Sequence, residues 1–219
     1  MAKIVIFGTG DIARLAHFYF TRDSGDQVVG FTVDAAYCTS SENLGLPLVP
    51  FEKVVGSFPP SEHQMFVAVS YARMNRLRAE KYAEAKGLGY QLASYVSSRC
   101  SYLSQFQAGD NCFILEDNTI QPYVRIGCNV TLWSGNHIGH DSVIEDHCFI
   151  SSHVVVSGHC RIGAYTFIGV NATLRNSINI APHSLIGAGA LIMSSTQEKG
   201  VYVAQRTSRF SQDSDAIKL

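Results

Sequence analysis

The chain is 219 residues long, with 17 basic and 18 acidic residues and a formal net charge of −1. A near-neutral balance with no basic block excludes nucleic acid as a partner, because phosphate binding needs clustered Lys and Arg. No apolar run reaches the roughly 20 residues needed to cross a bilayer, and Met1–Gly8 runs straight into a strand-like segment without the build of a cleavable signal, so a cytoplasmic protein without membrane contact is expected.

Lys3–Phe7 reads as a first strand, and Gly8-Thr9-Gly10-Asp11-Ile12-Ala13 opens a helix running to about Thr21. Val28–Val33 is a second strand, closed by Asp34. Pro47, Pro50, Pro59 and Pro60 punctuate a passage read as loop. Met65–Ser70 then predicts a third strand, Arg73–Lys86 a helix, and Tyr90–Val96 a strand leading onward. Strand, glycine turn, helix, strand and terminal acid is the grammar of a Rossmann-like unit. A phosphate would sit on the helix N-terminus at Gly8, Gly10 and Asp11, with Asp34 on a ribose hydroxyl. Residues 1–95 can supply one mononucleotide-binding half, whereas a dinucleotide needs two. The expected ligand is therefore a nucleotide-linked sugar, and an NAD-dependent oxidoreductase is disfavoured. The plainer alternative is a glycine turn that only packs helix on strand.

The C-terminal part follows a different rule. Every sixth residue from Ile114 to Ile192 is aliphatic, fourteen positions without a slip: Ile114, Ile120, Ile126, Leu132, Ile138, Ile144, Ile150, Val156, Ile162, Ile168, Leu174, Ile180, Ile186 and Ile192. Two places before each anchor the residue is usually small or thin, as at Cys112, Val130, Ser142, Cys148 and Ala172. Glycine follows the anchor at 127, 139, 163, 169 and 187, where a tight corner favours a residue without Cβ. A period of six suits neither a helix nor a plain strand. It predicts a parallel β-helix of hexapeptide repeats over residues 96–195, three hexads to a coil, in the left-handed form that this pattern resembles. Residues 196–219 are left as a tail, held loosely from Ser208 onward.

Stacked residues in such a prism are 18 apart in sequence and about 4.8 Å apart in space. None of the six cysteines has a partner at that spacing, so no disulfide is expected. Without a Cys-x-x-Cys pair a thiolate zinc site is not expected either. Cys112, Cys148 and Cys160 fall on interior positions and read as reduced core residues.

A short Gly-x-Gly unit joined to an uninterrupted hexapeptide prism resembles the NeuD/PglD-like family of sugar acetyltransferases, over nearly the whole chain. The most specific stretch is Ile138-Gly139-His140-Asp141-Ser142-Val143-Ile144, supported by Gly158, Ile168-Gly169-Val170-Asn171, Gly187-Ala188-Gly189 and Glu198–Val203. The resemblance implies transfer of an acetyl group from acetyl-CoA, without a metal, to a nucleotide-linked amino sugar in surface glycan synthesis. It implies His140 as general base, Asp141 as the carboxylate that orients it, and an oxyanion donor at the Gly158 N–H. Acetyl-CoA would lie between subunits of a homotrimer along Gly158, Val170 and Ala188. The family's second active-site histidine falls on Phe149, and the polar residue seven before the base falls on Trp133; both positions would line the acceptor pocket. Ala204-Gln205-Arg206 stands where the family has a Gly-x-Pro turn. His153 or His137 could supply the missing histidine contact.

Hexad position alone also singles out His140. His147, His153, His159 and His183 share the fourth place of their hexads and His137 takes the sixth, whereas His140 is at the third, with an acid directly after it. An imidazole next to a carboxylate suits removal of a proton from an attacking amine or hydroxyl. O-acetylation of sialic acid or a related sugar is an alternative. A non-catalytic nucleotide-sugar-binding scaffold is a further one, which the His140-Asp141 pair opposes. A zinc enzyme of the carbonic-anhydrase type is disfavoured because no two histidines lie five residues apart.

Overall fold

A computed structural model describes residues 1–209 and 211–217. β1 (Lys3–Phe7), α1 (Asp11–Asp23) and β2 (Gln27–Val33) form a parallel crossover. They are followed by β3 (Glu42–Asn43), β4 (Leu46–Pro50), α2 (Val54–Ser57), β5 (Gln64–Val67) and α3 (Arg76–Gly87). The sheet has the order β3-β4-β2-β1-β5 and is parallel except at β3–β4. β1 lies between β2 and β5 and is covered on both faces, which is why it reads as an unbroken apolar run. Ile4 and Ile6 pack toward Ala13, Ala16 and Phe20 of α1, while Val5 and Phe7 pack toward Phe51, Val54 and Ala85 on the other side.

Three local expectations change. The proline-punctuated passage contains β4, which pairs with β2 through Phe31–Leu48, Thr32–Val49 and Val33–Pro50. Only a two-residue strand lies beyond it, and near an edge the lost proline N–H is tolerated. The helix expected from Arg73 starts at Arg76, because Arg73, Met74 and Asn75 are all left-handed, with φ of 52°, 53° and 64°. Tyr90–Val96 is no single strand: Leu92 bridges to Met65, and Tyr95–Val96 already pairs with Phe113–Ile114.

That last pairing begins the prism. Two-residue strands build three parallel sheets in which partners are 18 residues apart, as in Arg125–Val143, Thr131–Phe149 and His137–Val155. All fourteen anchors are 7% exposed or less, and Cys112, Cys148 and Cys160 lie among them. Burial pushes the Cys112 and Cys148 thiols up to about 12, and all six cysteines are free. Where the interior position carries asparagine, its amide is satisfied: Asn118 and Asn136 stack, each donating to the Trp133 carbonyl. Every sixth residue from Asn111 to Gly189 turns the corner in the left-handed region, with φ between 53° and 76°. The glycines after the anchors do not make this turn. They are needed because the next coil lies against them: a Cβ at Gly163 would fall 2.5 Å from Pro182 N. The ladder also runs past residue 195, since Val201–Tyr202 pairs with Leu185–Ile186. The rest of the tail has one 3-10 turn at Ser214–Ala216, and Phe210, Lys218 and Leu219 lie outside the described residues.

The N-terminal unit is joined to the prism at β5, where Asn111 bonds the Val67 backbone, and at two larger junctions. At the end of α1, Asp23 accepts hydrogen bonds from Tyr95 Oη at 2.5 Å, Ser98 N at 2.9 Å, Ser97 Oγ at 3.2 Å and the Ser98 hydroxyl. Those donors, Ser98 foremost, pull its carboxyl down from 3.8 to about 2. A carboxylate with a depressed folded-state pKa stabilises above its unfolded value and loses that contribution as pH falls through the folded one. Asp23→Asn is therefore expected to lower stability at neutral pH and to flatten the pH dependence between about 4 and about 2, measured by urea unfolding at a series of pH values.

At the second junction α3 lies on the prism. Arg78 is 2% exposed and donates from Nη1 to Thr131 Oγ1 at 2.9 Å, and from Nη2 to the carbonyls of Asn129 (3.1 Å), His147 (3.3 Å) and Cys148 (2.9 Å). Its guanidinium also lies 5.7 Å from the Phe149 ring centroid. Burial lowers its pKa to about 10, so it stays charged at neutral pH.

Candidate active site

His140 and Asp141 occupy one corner of the prism. Asp141 takes the left-handed turn, with φ of 57°, which throws its carboxylate outward beside the ring before it. His140 Nδ1 lies 2.9 Å from Asp141 Oδ2, so the carboxylate holds the proton on Nδ1 and leaves the Nε2 lone pair free. The backbone is pinned as well: Gln121 Oε1 accepts from His140 N at 2.9 Å, and the Pro122 carbonyl accepts from Asp141 N at 3.2 Å.

Gly158 sits one coil further on, directly beneath the ring. A Cβ there would lie 2.7 Å from His140 Nε2. The residue in the place of Gln121 one coil later is Gly139. Two long polar side chains at that place each accept a backbone N–H of the next coil, Gln121 Oε1 from His140 and Glu145 Oε2 from Ala164 at 2.9 Å. Gly139 has none, and no acceptor for Gly158 N–H is present among the described residues. The corner therefore offers an imidazole nitrogen with a free lone pair and, beside it, an unpaired backbone donor. That is the equipment for deprotonating a nucleophile and receiving a developing oxyanion. Gly158 is not left-handed, so alanine fits its backbone. Gly158→Ala is expected to displace the ring and lower turnover by about 10²-fold, as for a catalytic group misplaced by about an ångström, with an unchanged circular dichroism spectrum.

The structure does not gather all the sequence-predicted residues at this corner. Val170 and Ala188 stack on a different corner of the prism, both exposed, with Gly189 N donating to the Val170 carbonyl at 2.8 Å. Next to them a cavity of 650 Å³ is lined by Gly189, Leu191, Val201, Val203 and Gln205. His153 belongs to that second corner too, its ring against Gly135. Phe149 is 5% exposed, between Trp133, Phe167 and Tyr71, with centroids 5.0–6.0 Å away. Within the chain, then, Phe149 and Trp133 belong to the seam between the N-terminal unit and the prism.

In the N-terminal unit, Gly8 is left-handed at φ 121°, and Gly10 caps α1 without a side-chain hydrogen bond. Thr9, Gly10, Asp11, Arg14, Asn43 and Leu44 line a groove of 320 Å³. Asp11 in it is paired with Arg14 at 3.1 Å. Asp34 is not free: Lys81 Nζ sits on it at 2.7 Å, and although burial pulls that lysine's pKa down, the Asp34 and Glu84 carboxylates outweigh it and leave the pKa raised.

His159, which sequence reading set aside as a corner histidine, stands 4.0 Å by Nε2 from Asp141 Oδ2, its ring edge-on to His140 at 4.9 Å between centroids. The signal was in the sequence, since 159 is 18 residues after 141.

Residues 123–158 match the family model for the bacterial transferase hexapeptide (six repeats). The chain superposes on the acetyltransferase domain of PglB from Neisseria gonorrhoeae, with a TM-score of 0.80, 20% identity and coverage of 93% of this chain and 97% of that one. The chain has the hexapeptide repeat and the fold of this acetyltransferase domain. That fold is shared with PerB from Caulobacter crescentus, solved with CoA and GDP-perosamine, at a TM-score of 0.80 and 20% identity over 93% of this chain and 95% of PerB. WeeI from Acinetobacter baumannii superposes at 0.79 and 17% identity, covering 93% of this chain and 97% of WeeI. Among curated proteins, the acyl-[acyl-carrier-protein]–UDP-N-acetylglucosamine O-acyltransferase of Stutzerimonas stutzeri is 31% identical over 91 residues, 38% of this chain and 35% of that protein. The Pseudomonas putida enzyme of the same name is 32% identical over 91 residues, with the same coverage. The chain thus spans about a third of the length of these relatives. No helix among the described residues is long and apolar enough to cross a membrane.

Proposed function

We propose that this protein is an acetyl-CoA-dependent acetyltransferase acting on the amino group of a nucleotide-linked sugar. The observation that carries the reading is the corner itself: His140 oriented by Asp141 at 2.9 Å, with Nε2 over Gly158. In the reaction the sugar amine attacks the thioester carbonyl while His140 Nε2 takes its proton. The carbonyl oxygen, gaining charge, is received by Gly158 N–H, and the tetrahedral intermediate collapses with loss of the CoA thiolate, which the imidazolium can reprotonate. Because the thioester is already activated, placement and proton removal are what the protein must add.

The remaining roles follow from position. Val170 and Ala188 lie on a different corner from His140, which fits an acetyl-CoA site shared between adjacent subunits of a homotrimer. His153, on that second corner, would reach the acceptor only from a neighbouring subunit. The α1 groove at Gly8, Gly10 and Asp11 receives the nucleotide phosphates, with Arg14 and the uncapped helix N-terminus as the favourable charges. Asp34, held in place by Lys81, would meet a ribose hydroxyl with its second carboxylate oxygen. The setting is cytoplasmic synthesis of surface glycan, and the resting enzyme needs no metal. PerB, of the same fold, was solved with GDP-perosamine, an amino-sugar nucleotide, which supports N- over O-acetylation.

Thiol release from acetyl-CoA, followed with UDP-, GDP- and dTDP-linked amino sugars and with free sialic acid, tests this reading. Release with a nucleotide-linked amine supports it. Release only with sialic acid would establish O-transfer instead, and binding of nucleotide sugar without any release would leave a scaffold.

A further inference from the structure

We propose that His140, Asp141 and His159 form a binding site for a divalent transition metal of the zinc type, and that the metal blocks the base. The blocking half rests on His140 being the base; the binding half does not. The fold forces these three side chains together. Asp141 and His159 hold the same place in consecutive coils, both with left-handed φ, 57° and 58°, and the His159 amide donates to the His140 carbonyl at 2.9 Å. One ligand atom from each residue lies within 4.8 Å of the other two. His140 Nδ1 and Asp141 Oδ2 are 2.9 Å apart, and His159 Nε2 is 4.0 Å from that oxygen. Ligand atoms around tetrahedral zinc stand about 3.3 Å from one another, so a small rotation of the His159 side chain closes the set. All three side chains are about half exposed, with relative accessibilities of 52%, 43% and 58%, which gives a metal access and the ring room to turn.

Two imidazoles and a carboxylate, with a fourth position open to water, are a donor set for zinc, nickel or copper; magnesium and calcium take oxygen ligands. A zinc enzyme of the carbonic-anhydrase type needs histidines five residues apart, whereas the spacing that this three-sided prism brings together is 19, from His140 to His159. The effect of binding follows from the ring. A neutral imidazole carries one N–H, and a metal on Nδ1 puts that hydrogen on Nε2. Nε2 is the nitrogen over Gly158, and with a hydrogen on it there is no lone pair to accept a proton. The metal would also take Asp141 from its orienting role.

The test uses the full chain stripped by chelator and titrated with Co²⁺, whose tetrahedral complexes absorb visible light far more strongly than the aqueous ion. A band saturating at a single equivalent per chain, displaced by Zn²⁺ and missing in His159→Gln, is expected. In the thiol-release assay Zn²⁺ is expected to stop the parent chain, while His159→Gln, active like the parent without metal, keeps turning over in the same Zn²⁺. Absence of the band, or the same band in His159→Gln, overturns the site. A normal band with release that Zn²⁺ leaves untouched overturns the block. A normal band with no release from any acceptor leaves the metal site standing and removes the transferase reading.

Discussion

Replacing His140 with alanine is expected to lower kcat for thiol release by on the order of 10²–10⁴, the usual contribution of a positioned general base. Folding should be unaffected, because the His140 side chain is half exposed and its structural tie to Gln121 runs through the backbone. Asp141→Asn isolates the partner's charge. Asparagine tolerates the left-handed turn at this corner, and its carbonyl can still accept from Nδ1, so the ring keeps its tautomer but loses the carboxylate that steadies the imidazolium. A smaller loss than in His140→Ala is expected. Both variants should bind CoA as the parent does, because Val170 and Ala188 lie on another corner and the contact proposed at Gly158 runs through its backbone N–H. Turnover in His140→Ala close to that of the parent, with the circular dichroism unchanged, would move the base elsewhere.

The prism was legible because its rule is one-dimensional: each anchor from Ile114 to Ile192 faces the axis, and a single missing aliphatic would have shown. His140 and Asp141 were legible as neighbours in sequence. What sequence did not disclose was which places lie side by side across coils. His159 stacks on Asp141 at a spacing of 18, yet with His147, His153 and His183 in the same hexad place it looked like one of a set. The role of Gly139 was hidden for the same reason, since its missing side chain matters only because Gly158 N–H lies beneath it. The family resemblance implies an acceptor pocket at Phe149 and Trp133. Within this chain the two rings stand in the seam between the two units, because the sheet that carries Phe149 is the one covered by Tyr71 and α3.

Arg78 was not singled out in the sequence at all, since one arginine in a helix of mixed charge carries no signal of burial. Arg78→Ala is nevertheless expected to be the most destabilising single change at that seam, by about 3–5 kcal/mol, as a void opens beside Phe149 and the Thr131 hydroxyl and the carbonyls of Asn129 and His147 lose their donor. Arg78→Met should recover much of this. It fills the volume, and it removes a charge whose guanidinium is met by carbonyl dipoles, with Nε left unpartnered; buried charges of that kind are often replaced by apolar groups at little net loss. The comparison is made by urea midpoints at constant m value. Trp133 is the chain's single tryptophan and stacks on Phe149 at 6.0 Å, so its fluorescence reports the seam itself. In Arg78→Ala that signal should change at lower urea than the far-ultraviolet circular dichroism, marking separation of the two units before the prism unfolds. α3 also carries Lys81, three residues on, which holds Asp34 at the end of β2. Loosening it is therefore expected to raise KM for the nucleotide-linked acceptor and leave CoA binding unchanged. Coincident transitions and an unaltered acceptor KM in Arg78→Ala would show that α3 is held by its other contacts, such as Lys86 with Asp110 at 2.7 Å, without Arg78.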